Sequence, residues 1–65
     1  MKVYIEKDNK NLEIKKSRYT GKKLLEELGI NASAVILVRN DEVVLEDEYL
    51  EDSDDIKILS VVSGG

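Results

Sequence analysis

The sequence predicts an α+β domain, with a mixed sheet of four to five strands and one helix across one face of the sheet. Runs that alternate polar and apolar residues lie on both sides of a single short amphipathic segment. The predicted order along the chain is therefore strand, strand, helix, strand, strand, strand. A hairpin, one crossing helix and a returning sheet form the β-grasp arrangement. In that arrangement the last strand lies beside the first, parallel to it, in the middle of the sheet.

The first two strands are predicted to form an antiparallel hairpin. Residues 2–7 alternate, with Val3 and Ile5 on one face. Residues 8–11 have the composition of a turn, and residues 12–16 alternate again. Two alternating runs around a short polar turn are typical of a hairpin.

The helix is predicted over residues 22–28. Thr20 is a typical N-cap residue, and Gly29 suits the left-handed position that ends a helix, with Ile30 packing back over it. Between them, three leucines fall on one stripe of the helix surface. We expect this stripe to pack against the sheet, because two turns bury too little apolar area to hold a helix on a membrane.

The second half of the chain is predicted to supply three strands. Residues 34–39 form an apolar run of strand length, residues 40–42 a polar turn and residues 43–45 a short return strand. Residues 56–62 are rich in β-branched side chains and are predicted as the last, central strand. The strand and helix registers together predict a core of Val3, Ile5, Leu12, Ile14, Leu24, Leu25, Leu28, Val35, Leu37, Leu50, Ile56 and Ile58.

Between the last two predicted strands lies an acidic segment, residues 46–55, in which seven of ten residues are acidic. Tyr49 and Leu50 are its apolar exceptions, and we expect both to tuck under the loop as an anchor. The segment lacks the ligand spacing of a calcium-binding loop. A solvated loop is therefore the preferred interpretation, and its charge could steer association with a basic partner surface.

Composition excludes several classes of function. The 65 residues contain neither cysteine nor histidine, which excludes cysteine nucleophiles, imidazole catalysis and thiolate metal sites. A net charge of −4 disfavours nucleic-acid binding. No apolar run approaches the roughly 20 residues that cross a bilayer. The length fits one domain, predicted at residues 1–62, and without a visible signal peptide we expect it in the cytoplasm.

The last three residues, Ser63-Gly64-Gly65, are predicted to form a flexible tail. Glycine has no side chain to pack, so a strand that ends in two glycines projects a thin backbone and a free carboxylate. An enzyme could close around such an end in a slot too narrow for any β-carbon. A terminal pair of glycines also arises by chance, so the body in front of it decides the interpretation.

A β-grasp body of this length that ends in Gly-Gly resembles the ubiquitin-like sulfur carriers, and the resemblance is strongest to the ThiS family of thiamine biosynthesis. The matching stretches are residues 35–44, residues 52–56 and the terminal Gly64-Gly65. The MoaD family is similar but typically longer, with aromatic residues and proline before its glycines. This chain has no phenylalanine and no proline, which favours ThiS.

The resemblance implies that the chain is a carrier and not an enzyme. A partner enzyme would use ATP and magnesium to adenylate the Gly65 carboxylate, and sulfur from a persulfide would then displace AMP and leave a thiocarboxylate. The implied partners are this adenylating enzyme and a sulfur-accepting synthase in thiamine, molybdopterin or tRNA thiolation pathways. The chain itself would bind no cofactor, nucleic acid or membrane, and we expect it to be a monomer when free.

The two-residue period of the strands predicts a docking surface for the adenylating enzyme. If Ile56 and Ile58 face the core, alternate residues of the last strand and its neighbours face the side that the helix leaves uncovered. The apolar members of this predicted surface are Tyr4, Ile36, Val38, Leu59 and Val61. Scattered exposed aliphatic residues without a role, or a dimer contact, are the alternatives.

Three functions fit the sequence. The first is a sulfur carrier, and the second is a protein modifier that is joined to lysines through Gly65. The third is a plain β-grasp interaction domain whose Gly-Gly end is accidental, since folds of this kind are reused for many functions. The first two share the same activation chemistry. They differ in whether the activated Gly65 then receives sulfur or is joined to a lysine.

Overall fold

The computed structural model describes residues 1–16 and 18–61. The predicted domain boundary at residue 62 and the predicted tail, residues 63–65, lie outside this part of the chain. The elements in chain order are β1 Lys2–Ile5, β2 Lys10–Glu13, β3 Tyr19–Thr20, α1 Gly21–Leu28, a 3-10 turn Ala32–Ala34, β4 Val35–Arg39, β5 Glu42–Val44, β6 Tyr49–Leu50 and β7 Asp55–Ser60.

The main sheet has five strands in the order β2-β1-β7-β4-β5. Its central strand, β7, is parallel to β1, with Val3 opposite Ile56. On its other side β7 is antiparallel to β4, with Leu37 opposite Ile58. This mixed sheet, with α1 packed on one face, confirms the predicted β-grasp fold. The final strand therefore has a hydrogen-bonded neighbour on each side.

The helix has the two capping residues that the sequence predicts, and it begins at Gly21, one residue before the predicted start. The hydroxyl oxygen of Thr20 accepts a hydrogen bond from the backbone N–H of Lys23 at 3.2 Å. Gly29 adopts the left-handed conformation with φ of 71°. The N–H of Ile30 then donates to the carbonyl of Leu25 at 2.9 Å, which closes a Schellman turn. Both ends of α1 are thus capped by local chemistry.

The core lies between α1 and the inner face of the sheet. All twelve predicted core residues are buried or pack in part against the buried cluster. Two members were not predicted: Met1 and Tyr19 are both buried. The complete buried cluster is Met1, Val3, Ile5, Tyr19, Leu24, Leu25, Leu37, Leu50, Ile56 and Ile58.

The first hairpin differs from the prediction in its bounds. β1 ends at Ile5 and β2 begins at Lys10, so the turn lies earlier than residues 8–11. Asn9 takes a positive φ of 47° and donates its backbone N–H to the carbonyl of Glu6 at 3.1 Å. Asparagine tolerates this left-handed conformation better than most residues, which explains why the chain reverses there.

The prediction that Tyr49 anchors the acidic loop is wrong. Leu50 is fully buried, but Tyr49 is 61% exposed. The two residues form β6, which pairs with β3 so that Leu50 lies opposite Tyr19. In a strand, successive side chains point to opposite sides, so burying Leu50 turns Tyr49 towards solvent.

Candidate functional site

The candidate site is the end of β7, where the chain leaves the sheet. Gly64 and Gly65 lie outside the described residues, so the structure shows the base of the predicted reactive end. The backbone N–H of Val61 donates to the carbonyl of Ala34 at 3.0 Å, which continues the β4–β7 pairing one residue beyond Ser60. β7 is therefore hydrogen-bonded to its neighbour as far as the last described residue.

Four of the five predicted partner residues lie on one face of the sheet. Across the β4–β7 pair, Leu59 lies opposite Ile36 and Lys57 lies opposite Val38. On the other side of β7, Tyr4 lies opposite Lys57. The residues that alternate with Lys57 and Leu59 in β7 are buried in the core. These side chains therefore face away from α1.

Exposure varies across this face. Ile36 is 39% exposed and Val61 is 47% exposed, whereas Tyr4, Val38 and Leu59 are half-buried. The strand registers thus place Tyr4, Ile36, Val38 and Leu59 on one side of the sheet, and Val61 follows β7 at the edge of this side. The two most exposed of them lie at the end from which the C-terminal residues continue.

Two further apolar residues extend the face and were not predicted as part of it. Val43 lies opposite Val38 across the β4–β5 hairpin and is 72% exposed. Leu45 follows two residues later and is 68% exposed. The two-residue turn at Asn40 and Asp41, both with positive φ, fixes this register. Recognising that turn in the sequence would have placed Val43 beside Val38.

We call these seven residues the apolar face: Tyr4, Ile36, Val38, Val43, Leu45, Leu59 and Val61. Polar groups lie within and beside it. The ammonium of Lys57 is 3.9 Å from the carboxylate of Asp41. The hydroxyl of Tyr4 donates to the side-chain oxygen of Asn9 at 3.0 Å. The face therefore combines apolar area with a few charged positions, as binding surfaces usually do.

The acidic segment 46–55 lies beside the start of α1. Its backbone carbonyls at Glu46 and Glu48 accept from the N–H groups of Lys22 and Gly21, at 2.6 and 3.1 Å. Its carboxylates are mostly solvent-exposed. Within residues 1–16 and 18–61, no three acidic side chains converge as a metal site. The segment therefore caps the helix with its backbone and presents its negative charge to solvent.

A groove of about 570 Å³ lies on the other side of the sheet at the same end of β7. It runs between the C-terminal end of α1 and the strands, and Leu28, Ile30 and Val35 line it. Ser60 and Val61 also border the groove. Ser60 and Val61 thus lie between this groove and the apolar face.

Comparison with known proteins decides the family. The family model described as "ThiS family" matches residues 2–65, which is nearly the whole chain and includes both terminal glycines. The chain belongs to the ThiS family. This confirms the resemblance found in the sequence and agrees with the β-grasp fold.

A curated relative supports the assignment of this ThiS-family chain. The sulfur carrier protein TtuB of Thermus thermophilus is 34% identical over 58 residues. The aligned part covers 89% of this chain and 88% of TtuB, so the two proteins match over almost their full lengths. Among the described residues, the structure has no helix long and apolar enough to span a membrane.

Proposed function

We propose that this ThiS-family chain is a sulfur carrier whose Gly65 carboxylate is adenylated by a partner enzyme and then converted to a thiocarboxylate. The observation that carries the proposal is the family match, which extends through Gly64 and Gly65. The relative TtuB, which is named a sulfur carrier protein, aligns over most of the chain. The hydrogen bond that holds Val61 to the sheet, four residues before the C-terminus in the sequence, supports the same role.

The proposed chemistry uses one functional group of this chain. A carboxylate oxygen of Gly65 attacks the α-phosphorus of ATP on the partner, with magnesium there, and pyrophosphate leaves. A persulfide of the sulfur donor attacks the resulting acyl carbon, AMP leaves, and an acyl disulfide forms. A thiol then attacks the donor's sulfur of the acyl disulfide, which leaves the thiocarboxylate on Gly65 and a disulfide between that thiol and the donor. The chain contributes the carboxylate, and the partner contributes the catalysis.

The apolar face is the proposed contact with the adenylating enzyme. The enzyme must hold the body of the carrier while the terminal glycines enter its active site. Ile36 and Val61 are exposed where the described part of β7 ends, four residues before the C-terminus in the sequence. Val43 and Leu45 extend the available apolar area to the edge strand β5. Large exposed apolar residues that converge on one face are typical of binding sites.

The sulfur acceptor is proposed to be a synthase of thiamine biosynthesis, with molybdopterin synthesis and tRNA thiolation as other destinations. The same activated end could instead acylate a lysine, in which case the chain would act as a protein modifier. Both functions require the adenylation of Gly65. They differ in the product that accumulates in the cell.

The test is to isolate the protein from its own cells and treat it with a thiol-specific alkylating reagent. Because the chain contains no cysteine, a thiocarboxylate at Gly65 would be its one reactive sulfur. Mass spectrometry should find one label per chain, located on the C-terminal peptide, and an unlabelled mass with one oxygen replaced by sulfur. A chain that lacks Gly65 is the control and should take no label.

Other outcomes distinguish the alternatives. A series of larger species linked through Gly65 to lysines would identify a protein modifier. An unlabelled chain, together with a Gly65 deletion that leaves growth and pathway output unchanged, would contradict both activated functions and support a plain interaction domain.

A further inference from the structure

The hydrogen bonds between β1 and β7 depart from the regular parallel pattern at Ser60, the last residue of β7. β1 and β7 pair in parallel from Lys2 opposite Asp55 to Ile5 opposite Ile58. The N–H of Glu6 then donates to the carbonyl of Ile58 at 3.0 Å. In a regular parallel ladder, the next bond would run from the N–H of residue 60 to the backbone carbonyl of residue 6.

That backbone carbonyl is not available, because the chain turns away from the sheet at this point. The carbonyl of Glu6 accepts from the N–H of Asn9 at 3.1 Å, within the turn between β1 and β2. The side chain of Glu6 takes its place. One carboxylate oxygen of Glu6 accepts from the backbone N–H of Ser60 at 2.9 Å. A side chain therefore supplies the last rung of the β1–β7 ladder.

The opposite side of β7 is fixed at the neighbouring residue. The N–H of Val61 donates to the carbonyl of Ala34 at 3.0 Å, and Ser60 lies opposite Val35. The direction in which the chain leaves the sheet is thus set by one backbone bond and one carboxylate. Four residues, Val62 to Gly65, follow this point in the sequence.

We propose that Glu6 is a positioning residue for the activation of Gly65, an inference that rests on the proposed function. Its carboxylate holds Ser60 in the sheet and so fixes where the last residues begin relative to the apolar face. An adenylating enzyme that binds this face then receives Gly65 from a defined starting point. Without the carboxylate, Ser60 and Val61 are held on the β4 side alone, and the enzyme would have to restrict their added backbone freedom on binding.

The position of Glu6 separates this role from a role in folding. Its side chain is exposed, and it lies in a turn outside the buried core. A hydrogen bond from a backbone N–H to a carboxylate is stronger than a neutral one, but solvent competes for an exposed one. Removal of the carboxylate should therefore alter the base of the tail while leaving the fold in place.

The experiment compares three variants with the wild type. Glu6→Ala removes the acceptor, Glu6→Gln keeps an acceptor oxygen without the charge, and Glu26→Ala removes an exposed acidic residue from the helix. Amide hydrogen exchange at Ser60 is measured by NMR in the free protein. KM and kcat for the carrier are measured by ATP–pyrophosphate exchange with the adenylating enzyme of the same organism.

For Glu6→Ala we expect faster exchange of the Ser60 amide, with the Ile58 amide unchanged. We expect its KM to rise about 5- to 10-fold, because residues fixed in the wild type must be ordered on binding, while kcat at saturation stays near the wild-type value. Glu6→Gln and Glu26→Ala should resemble the wild type. A wild-type KM for folded Glu6→Ala, or a Glu6→Gln variant as impaired as Glu6→Ala, would overturn the positioning role.

The wild type separates this proposal from the proposed function. If wild-type protein shows no pyrophosphate exchange that depends on Gly65, the proposed function fails and the positioning role fails with it. If the wild type is active and folded Glu6→Ala matches its KM, the positioning role alone is wrong.

Discussion

Gly21 packs directly against Leu37, so closely that a β-carbon on Gly21 would occupy the space of a Leu37 methyl group. The backbone of Glu46 closes the other side, because its carbonyl oxygen would lie 3.2 Å from that β-carbon. Gly21 is also the first residue of α1. The carbonyl of Glu48 accepts from the N–H of Gly21, and the carbonyl of Glu46 accepts from the N–H of Lys22. The start of the helix, strand β4 and the acidic segment thus meet at Gly21, which has no side chain to hold them apart.

We expect Gly21→Ala to destabilise the fold. Overpacking in a core typically costs about 1–3 kcal/mol, and Leu37 is itself buried, so it has little room to move. The gain in helix propensity returns at most about 1 kcal/mol. A net loss of about 1 kcal/mol should lower the melting temperature by roughly 4–8 °C in a domain of this size.

Thermal unfolding followed by circular dichroism would measure this effect. Lys22→Ala, at the next and exposed position, is the control and should change the melting temperature little. A Gly21→Ala variant as stable as the control would show that Leu37 and the loop can move apart without cost.

The local signals in the sequence were enough to predict the helix and the central strand. Thr20 and Gly29 mark the two ends of α1 because capping depends on a few neighbouring residues. The β-branched residues among 56–62 predict a strand because such side chains pack well on the pleated surface of a sheet. These are short-range rules, and the structure agrees with them.

Features that depend on distant residues were missed. The pairing of β3 with β6 joins Tyr19 to Leu50 through two-residue strands that are too short for any periodicity to appear. Burial of Tyr19 follows from that pairing. The extension of the apolar face to Val43 and Leu45 depends on the hairpin register set at Asn40. The turn at Asn40 and Asp41 needs positive φ at both residues. Such a turn is harder to recognise in a sequence when neither residue is glycine.

Core truncations should cost much of the stability of this small domain. Ile58 and Leu25 are 1% and 2% exposed, on the central strand and the helix. Replacing either with alanine removes packed methyl groups and leaves a cavity, at a cost of about 2–5 kcal/mol. Domains of ordinary stability have about 5–15 kcal/mol in total. Denaturant unfolding at equilibrium would measure the loss.

Val43→Ala is the matched control for these truncations. It also shortens an aliphatic side chain on a strand, but Val43 is mostly exposed and little packing is lost. If Ile58→Ala cost no more than Val43→Ala, the assignment of the two faces of the sheet would be wrong.

Tyr19 should give the fold a specific sensitivity to alkaline pH. Burial of the ring, with a further contribution from the carboxylate of Glu27, raises the pKa of Tyr19 from 10.0 to about 12. Below pH 10, Tyr19 is protonated in both the folded and the unfolded chain. Between pH 10 and about 12, the unfolded chain loses this proton while the folded chain keeps it. The free energy of unfolding therefore falls as the pH rises through this window and levels off above it.

Comparison of the wild type with Tyr19→Phe isolates this contribution. Urea unfolding on both sides of pH 10 should show a smaller alkaline loss for Tyr19→Phe than for the wild type. Tyr49→Phe is the control, because Tyr49 is exposed, and it should follow the wild type. Parallel pH profiles for all three proteins would contradict the raised pKa of Tyr19.

The apolar face is best tested at Ile36 and Val43. Leu59 is half-buried, so an aspartate there would have to bury part of its charge in the free protein and would destabilise the fold. Ile36 and Val43 are more exposed, so Ile36→Asp and Val43→Asp should leave the fold intact. A carboxylate placed in an apolar contact must lose its hydration when the partner binds, which opposes docking.

We expect Ile36→Asp to raise the KM for adenylation of Gly65 about tenfold or more, which corresponds to about 1.4 kcal/mol of lost binding. Val43→Asp, farther from the C-terminal end, should show whether the contact reaches the edge strand β5. Ile36→Val and Val43→Ile keep the apolar character and serve as matched controls in the ATP–pyrophosphate exchange assay, with circular dichroism of every variant. If the folded Asp variants were adenylated with the wild-type KM, the enzyme would hold the carrier by another surface, and the groove beside Ile30 and Val35 would be the next place to test.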